Sequence, residues 1–272
     1  MKKVFALLLI SAPVFAQDMT FRKEDPELLS IHAQLFLGEK LMMESVQKFK
    51  DGDLRRLLFD GIIPRDSSFE HTYGADGKIA ERVERDENNQ LAHAWVYVYK
   101  DDGSWEMAGY GYEDGERDEE LSYIEKWDKD GKILSAEWKM EHYATVKIFI
   151  YDGNGRLVKM EETPDGASKP IAWEVYQYTD AGKLATKEAF VGGITKEKIS
   201  YDDQGEISEV IRHDGNGVAY TKSVLTRVYK DFRGHKRKAE EKATSYNLKD
   251  GKWVKGSVST AKMSYQYKKK KK

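Results

Sequence analysis

Six times in this 272-residue chain a Tyr or Trp is followed four residues later by Gly, usually with Asp or Asn between. The copies begin at Tyr73 (YGADGKI), Tyr99 (YKDDGSW), Trp127 (WDKDGKI), Tyr151 (YDGNGRL), Tyr178 (YTDAGKL) and Tyr201 (YDDQGEI). Their glycines, Gly77, Gly103, Gly131, Gly155, Gly182 and Gly205, are spaced by 26, 28, 24, 27 and 23 residues, a regularity that marks one repeated unit. Two looser copies, at Tyr229 (YKDFRGH) and Tyr246 (YNLKDGK), carry Gly five residues on.

Each copy reads as strand, turn, strand. A β-rich run precedes the aromatic, as in residues 91–99 (LAHAWVYVY), 143–151 (YATVKIFIY) and 171–178 (IAWEVYQY), and a second run follows the Gly. Asp and Asn hydrogen-bond tight turns, and Gly supplies the positive φ that a short hairpin loop needs. A period near 26 residues leaves about ten per strand plus two turns. In residues 133–140, Leu134, Ala136, Trp138 and Met140 share one face, and Ser135, Glu137 and Lys139 the other. That is the period of two expected for an antiparallel sheet with one wet face. The abundant aromatics, sixteen Tyr and six Trp in a chain that is 34% charged, suit thin β-structure rather than disorder.

At YDGNGRL (151–157) and YTDAGKL (178–184) the chain resembles the YD repeats of the RHS family, and the resemblance runs over residues 73–205, weakening to 253. It implies β-sheets that can curl into shells around a cargo, with the repeats as platforms rather than active sites. The units here are longer than usual for that family and few in number. The expected fold is therefore mainly β: tandem antiparallel hairpins in an open, twisted and curved meander sheet over residues 65–267, with one N-terminal α-helix.

That helix is expected within a segment spanning residues 17–64. Asp25 suits the cap, Pro26 the first helical position and Glu27 the N-terminal dipole. Leu28, Ile31, Leu35, Met42, Val46 and Phe49 line one stripe, in which Gly38 costs about 1 kcal/mol against Ala. Asp51-Gly52 ends it, and Leu54 to Phe59 adds a short turn. Ahead lies an export signal, residues 1–16: Lys2 and Lys3, an apolar stretch from Val4 to Phe15, and Val14-Phe15-Ala16 as the cleavage site. Twelve residues, interrupted by Ser11 and Pro13, are too few to span a bilayer core of roughly 30 Å. The expected location is the periplasm or the cell surface. With no Cys in the chain, disulfides and thiolate metal sites are excluded.

Charge is polarised along the sequence. Residues 229–272 hold fifteen basic against four acidic side chains and end in a basic tail, Lys268 to Lys272, whereas residues 17–228 sum to −15. The tail is suited to weak contact with anionic lipid or lipopolysaccharide; nucleic acid is a poor partner for so acidic a body.

No metal or cofactor is expected, because His32, His71, His93, His142, His213 and His235 have no ligand spacing. The DGNG runs at 152 and 214 lack the rest of a calcium loop. No nucleophile elbow, phosphate loop or dinucleotide fingerprint appears, so no catalytic residue is assigned. An outer-membrane barrel needs an apolar outward face on every strand, which IAERVER (79–85) and KLATKEAF (183–190) do not offer. The lead is aromatic: Trp95, Trp105, Tyr110, Trp127, Trp138 and Trp173 recur on the central strands as candidates to bind a polysaccharide or an envelope protein. The expected function is a non-enzymatic binding scaffold. The alternative is an enzyme acting on envelope polysaccharide through unassigned carboxylates.

Overall fold

The computed structural model describes residues 28–50, 53–60, 65–113, 115–140, 143–232 and 235–267; the expected export signal and lysine tail lie outside them. The described residues form eighteen β-strands and no helix. In chain order these are β1 Leu28–Leu37, β2 Lys40–Lys50, β3 Asp53–Asp60, β4 Arg65–Tyr73, β5 Ile79–Arg85 and β6 Leu91–Tyr99. Next come β7 Trp105–Glu113, β8 Glu116–Trp127, β9 Ile133–Met140, β10 Tyr143–Tyr151, β11 Leu157–Pro164 and β12 Ala172–Tyr178. The last six are β13 Leu184–Val191, β14 Ile194–Tyr201, β15 Ile207–His213, β16 Ala219–Phe232, β17 His235–Lys249 and β18 Lys252–Tyr267.

Each strand pairs antiparallel with its successor, so the meander predicted from the repeat is present. Its ends were expected to be free edges. Instead β1 pairs with β2 on one side and β18 on the other, with Ile31 opposite Tyr265 and Leu37 opposite Ser259, so the pairings run round a ring. Eighteen strands spaced about 4.8 Å apart give a round barrel a backbone radius of roughly 14 Å before tilt, in the range that leaves a channel inside.

The predicted N-terminal helix is corrected to the β1–β2 hairpin, and the short turn at Leu54 to Phe59 to strand β3. Residues four apart share a face in a strand as well as in a helix, so Ile31 and Leu35 fit both patterns. Gly38 decides locally, since its φ of 61° turns the chain between the two strands. Pairing with β18 then supplies ladder partners that an isolated helix would forgo.

The six repeat glycines fall at the tips of β4–β5, β6–β7, β8–β9, β10–β11, β12–β13 and β14–β15. These are alternate tips, hence all on one rim, as the spacing predicted. Within a copy the first Asp organises the loop. Asp152 Oδ1 accepts from the amides of Asn154 and Arg156, both at 2.9 Å, and the Gly155 amide donates to the Asp152 carbonyl. These bonds hold the Asp152 carboxyl below its ordinary range, the Arg156 amide first among them. Two further copies sit on the opposite rim: Asp86 and Asp214 make the same bonds, with Asn89 (φ 63°) and Gly217 at the positive-φ position. Sequence reading missed them as copies because Arg85 and His213 stand where the aromatic should be.

Successive copies also hold one another. The Tyr151 hydroxyl donates to the Ile133 carbonyl and the Tyr178 hydroxyl to the Leu157 carbonyl, each at 2.8 Å. In three copies the cation after the glycine covers the next copy's ring: Lys78 over Tyr99, Lys132 over Tyr151, Arg156 over Tyr178. Such pairs contribute about 0.5–1 kcal/mol where exposed.

Register sorts the side chains into two faces. Leu35, Met43, Phe69, Met107, Ala136, Met160, Ile199, Val210 and Leu225 are buried on one of them; Ala94 is a buried exception on the other. Side chains converge on the concave side of a ring, so the crowded face is the inner one. The outer face carries Glu137, Glu161, Glu188, Lys198 and Lys242 in mid-strand, with Lys198 bound to Glu188 at 2.7 Å. Val98, Val146, Ile148 and Ile150 are exposed on the same face, so it mixes charged and apolar side chains.

Two outcomes test the fold. Gln34 and Lys262 oppose each other across β1–β18. Gln34→Cys with Lys262→Cys should therefore crosslink intramolecularly on mild oxidation, since opposed Cβ atoms lie about 4.5–5.5 Å apart; failure to crosslink in the folded protein would mean an unpaired seam. Separately, Gly131→Ala should cost about 1–2 kcal/mol in chemical denaturation through its φ of 77°, whereas Gly153→Ala, with open space and no positive φ, should cost nothing.

Candidate functional site

The inner face divides into sectors of different chemistry. Around the seam, Leu35, Met43 and Ala261 form a small apolar cluster. From β10 to β17 ion pairs, Lys147–Glu162 at 3.6 Å, Lys187–Glu174 at 2.9 Å, Arg212–Glu197 at 3.2 Å and Arg227–Glu241 at 2.7 Å, flank a second apolar cluster of Ile199, Val210 and Leu225. Between them, strands β6–β9 carry an aromatic wall.

Alternation builds that wall. Trp95, Tyr97 and Tyr99 follow each other at every second position of β6, and the ladder sets Tyr99 opposite Trp105 and Trp105 opposite Trp127. Trp105 and Trp127 stack with centroids 4.7 Å apart and planes 7° from parallel, and Tyr97 and Tyr99 lean on Trp105 at 6.2 and 6.1 Å. One pair further along, Tyr123 packs on Trp138 at 4.4 Å. Glu125 ties the two groups together: it accepts the Tyr123 hydroxyl on one oxygen and the Trp127 indole N–H, at 2.9 Å, on the other.

Space for the largest ring comes from glycine. Trp95 lies across Gly109, where a Cβ would meet its ring atoms at 3.1 and 3.2 Å. On its other flank, the Arg82 guanidinium sits 4.9 Å from the Trp95 centroid and 4.4 Å from that of Phe69. Arg82 is only 2% exposed, and its pKa is lowered by that burial. His93 stacks on Trp95 at 5.8 Å and contacts Glu84 at 3.1 Å. Trp138, at 37% exposure, is the most open of the four tryptophans.

Of the six aromatics singled out in the sequence, Trp95, Trp105, Trp127 and Trp138 come together on this wall. Tyr110 and Trp173 do not. Register turns both to the outer face, where Arg117 lies 3.4 Å over the Tyr110 ring and Trp173 stacks on Phe190 at 5.5 Å. Tyr97, Tyr99, Tyr123, Glu125 and Arg82 were not among the candidates. The signal for the tyrosines was available, because each stands an even number of residues from a chosen tryptophan on its own strand. Arg82 and Glu125 join through cross-strand register, which one strand's sequence does not contain.

No family model matches this chain, and no curated protein matches its sequence significantly. Among solved structures, a porin-like protein from Bacteroides uniformis aligns with TM-score 0.43 and 11% identity, covering 90% of this chain and 100% of that one. The Tc holotoxin pore of Photorhabdus luminescens aligns with TM-score 0.35 and 10% identity, over 78% of this chain and 14% of that chain.

Burial pushes the Tyr97 hydroxyl up to about 12 and raises Tyr123 and Tyr176 further, the latter two helped by the carboxylates that accept their protons. A folded pKa above the unfolded value of about 10 means full stability below pH 10, lost as pH rises beyond it. The denaturation midpoint should therefore hold between pH 7 and 9 and fall above about 10, with part of the tyrosinate absorbance appearing only on unfolding. All tyrosines titrating near 10 in the folded protein would contradict this environment.

Proposed function

We propose that this protein is an exported, non-enzymatic binding scaffold that takes a polysaccharide chain against the inner face of its sheet. The observation that carries the reading is the aromatic wall: four tryptophans and three tyrosines on one face of four consecutive strands. Pyranose rings present flat C–H faces, and exposed aromatic rings bind them by stacking with little loss of side-chain entropy. Rings spread over strands about 4.8 Å apart offer successive sugars successive platforms. Glu125 supports the same reading, since both its oxygens are engaged in orienting Tyr123 and Trp127. The export signal at residues 1–16 would place the scaffold in the periplasm or at the cell surface, among envelope polymers.

The test is a titration of tryptophan fluorescence with soluble polysaccharides of defined composition. Trp138→Ala and Trp105→Ala should each weaken binding about tenfold, roughly 1.4 kcal/mol, with the far-ultraviolet spectrum unchanged. Binding that is absent, or indifferent to both substitutions, would refute the reading. New reducing ends that vanish with Glu125→Gln would replace it with the enzymatic alternative. Export has its own check: the native protein should begin at Gln17, and a retained Met1 in mass spectrometry would exclude a cleaved signal.

A further inference from the structure

Strands β16–β18 carry a row of cations along their outer side. Register turns Lys222, Lys230, Lys242, Lys255 and Lys262 outward, away from the buried Leu225, Glu241 and Ala261. Among the described residues of these three strands, Glu240 is the one acid on the same side. Lys230, Lys242, Lys255 and Lys262 are exposed and make no ion pair among the described residues. Outward acids on the neighbouring strands are engaged already: Lys222 takes Glu209 of β15 at 3.4 Å, and His32 takes Glu44 of β2 at 2.8 Å. Elsewhere on the outer face Lys159 holds Glu161 at 2.6 Å and Lys198 holds Glu188 at 2.7 Å. Lys262 has only the Phe36 ring to lean over.

The row follows the strands rather than closing round a point. Lys255 and Lys262 stand on one strand at a separation of roughly 20 Å. Lys242 faces Thr260, so it is a diagonal neighbour of Lys262, about 7–8 Å away, and the two repel. Hydroxyl-bearing side chains, Thr226, Thr244, Thr260 and Ser264, occupy outward positions among them. At one end of the row Tyr246 stands opposite both Lys222 and Lys255. Lys222 lies 5.5 Å from the Tyr246 centroid and 5.3 Å from that of Trp253, the one tryptophan outside the candidates named from the sequence.

Each part of this surface selects a different property in whatever binds it. Unpaired lysines select an anion, rings beside them the flat C–H face of a sugar, hydroxyls a hydrogen-bonding partner, and the linear order a chain. We infer that the outer face of β16–β18 binds a linear acidic polysaccharide, its carboxylates along the lysine row and a sugar ring against Tyr246 and Trp253. A polyanion relieves the repulsion within the row. A bilayer surface fits less well, because binding there draws on buried apolar area. Val228 is the one exposed aliphatic side chain turned outward on these strands among the described residues. The site is separate from the tryptophan wall, which lies on the inner face of other strands, and does not depend on it.

The experiment is isothermal titration of the full chain with alginate, a polyuronate, at low and high salt. Binding should weaken at least about tenfold at high salt, since exposed charges are screened within about 8 Å already at 0.15 M. Lys242→Gln with Lys255→Gln and Lys262→Gln should weaken low-salt binding about tenfold, with the far-ultraviolet spectrum unchanged. Trp253→Leu, which keeps an apolar side chain but removes the flat ring, should weaken it about threefold. Trp138→Ala on the inner wall, and removal of residues 268–272, should leave the salt-dependent binding within about twofold. Absence of alginate binding, or binding indifferent to the triple variant, overturns the inference. Loss of binding with the tail would make the tail the contact, and loss with Trp138→Ala would move the polymer to the inner wall; either overturns it, the second while sparing the function proposed above. An unaffected Trp253→Leu also overturns it, because the lysines would then be reading charge without a sugar. Tighter binding to anionic vesicles than to alginate would assign the face to a membrane surface instead.

Discussion

The hydrogen-bond pairing of β1 with β18 is the constraint on which this architecture depends. A sheet of eighteen strands left open would present two long edges, each a row of unpaired amides and carbonyls ready to template another chain. Twist accumulates from strand to strand, so open, strongly twisted sheets rarely exceed about ten strands without curling or splitting. Joining the first strand to the last removes both edges and gives the sheet an inside. Every distinction between crowded and open faces follows from that closure.

Within the ring, the repeat works as a chain of couplings rather than a stack of independent hairpins. The hydroxyl of one copy's tyrosine reaches back to the preceding copy, and that copy's cation covers its ring. The sixth copy shows what happens when the motif changes. Glu206 replaces the cation, and the Tyr229 pKa is raised by burial and, after it, by Glu206. Glu206 also meets Arg227 at 3.3 Å and Lys238 at 3.0 Å, so the substitution helps build an ionic knot in which Arg227 and Glu241 are 5% and 6% exposed. Removing one member of such a buried pair typically costs 3–5 kcal/mol, because the other charge is left without compensation.

Local chemistry was legible in the sequence and long-range pairing was not. Asp152 and Gly155 specify their turn without help from elsewhere, so the six tips and the meander could be read from the motif. The Leu28 to Phe49 stripe could not be resolved, because its four-residue spacings serve a helix and a strand alike and the deciding partner, β18, lies more than 200 residues away. The aromatic site fell between these cases. Trp95 was recognisable as a candidate, but the neighbours that shape its setting, Gly109 and Arg82, reach it only through register. Tyr110 and Trp173 were chosen by residue type, whereas strand parity puts them on the other face.

Closure also separates the ring's local from its non-local costs. A repeat hairpin brings together residues about six apart, such as Tyr151 and Leu157, while the seam joins Leu28 to Tyr267. Loop-closure entropy grows only logarithmically with separation, so bridging that span costs roughly 3–4 kcal/mol more than closing one hairpin loop. Seventeen consecutive pairings formed first would shorten the effective loop and set the sheet's curvature, leaving the seam to be closed by strands already brought near each other. The cross-strand ladder from Ser30–Gln266 to Leu37–Ser259 can offset a cost of that size, since each cross-strand pair is worth about 0.2–1 kcal/mol. The apolar contacts of Leu35, Met43 and Ala261 at the seam add burial to that ladder. An apolar cluster spanning β1, β2 and β18 thus sits where the sheet has the least help from chain proximity.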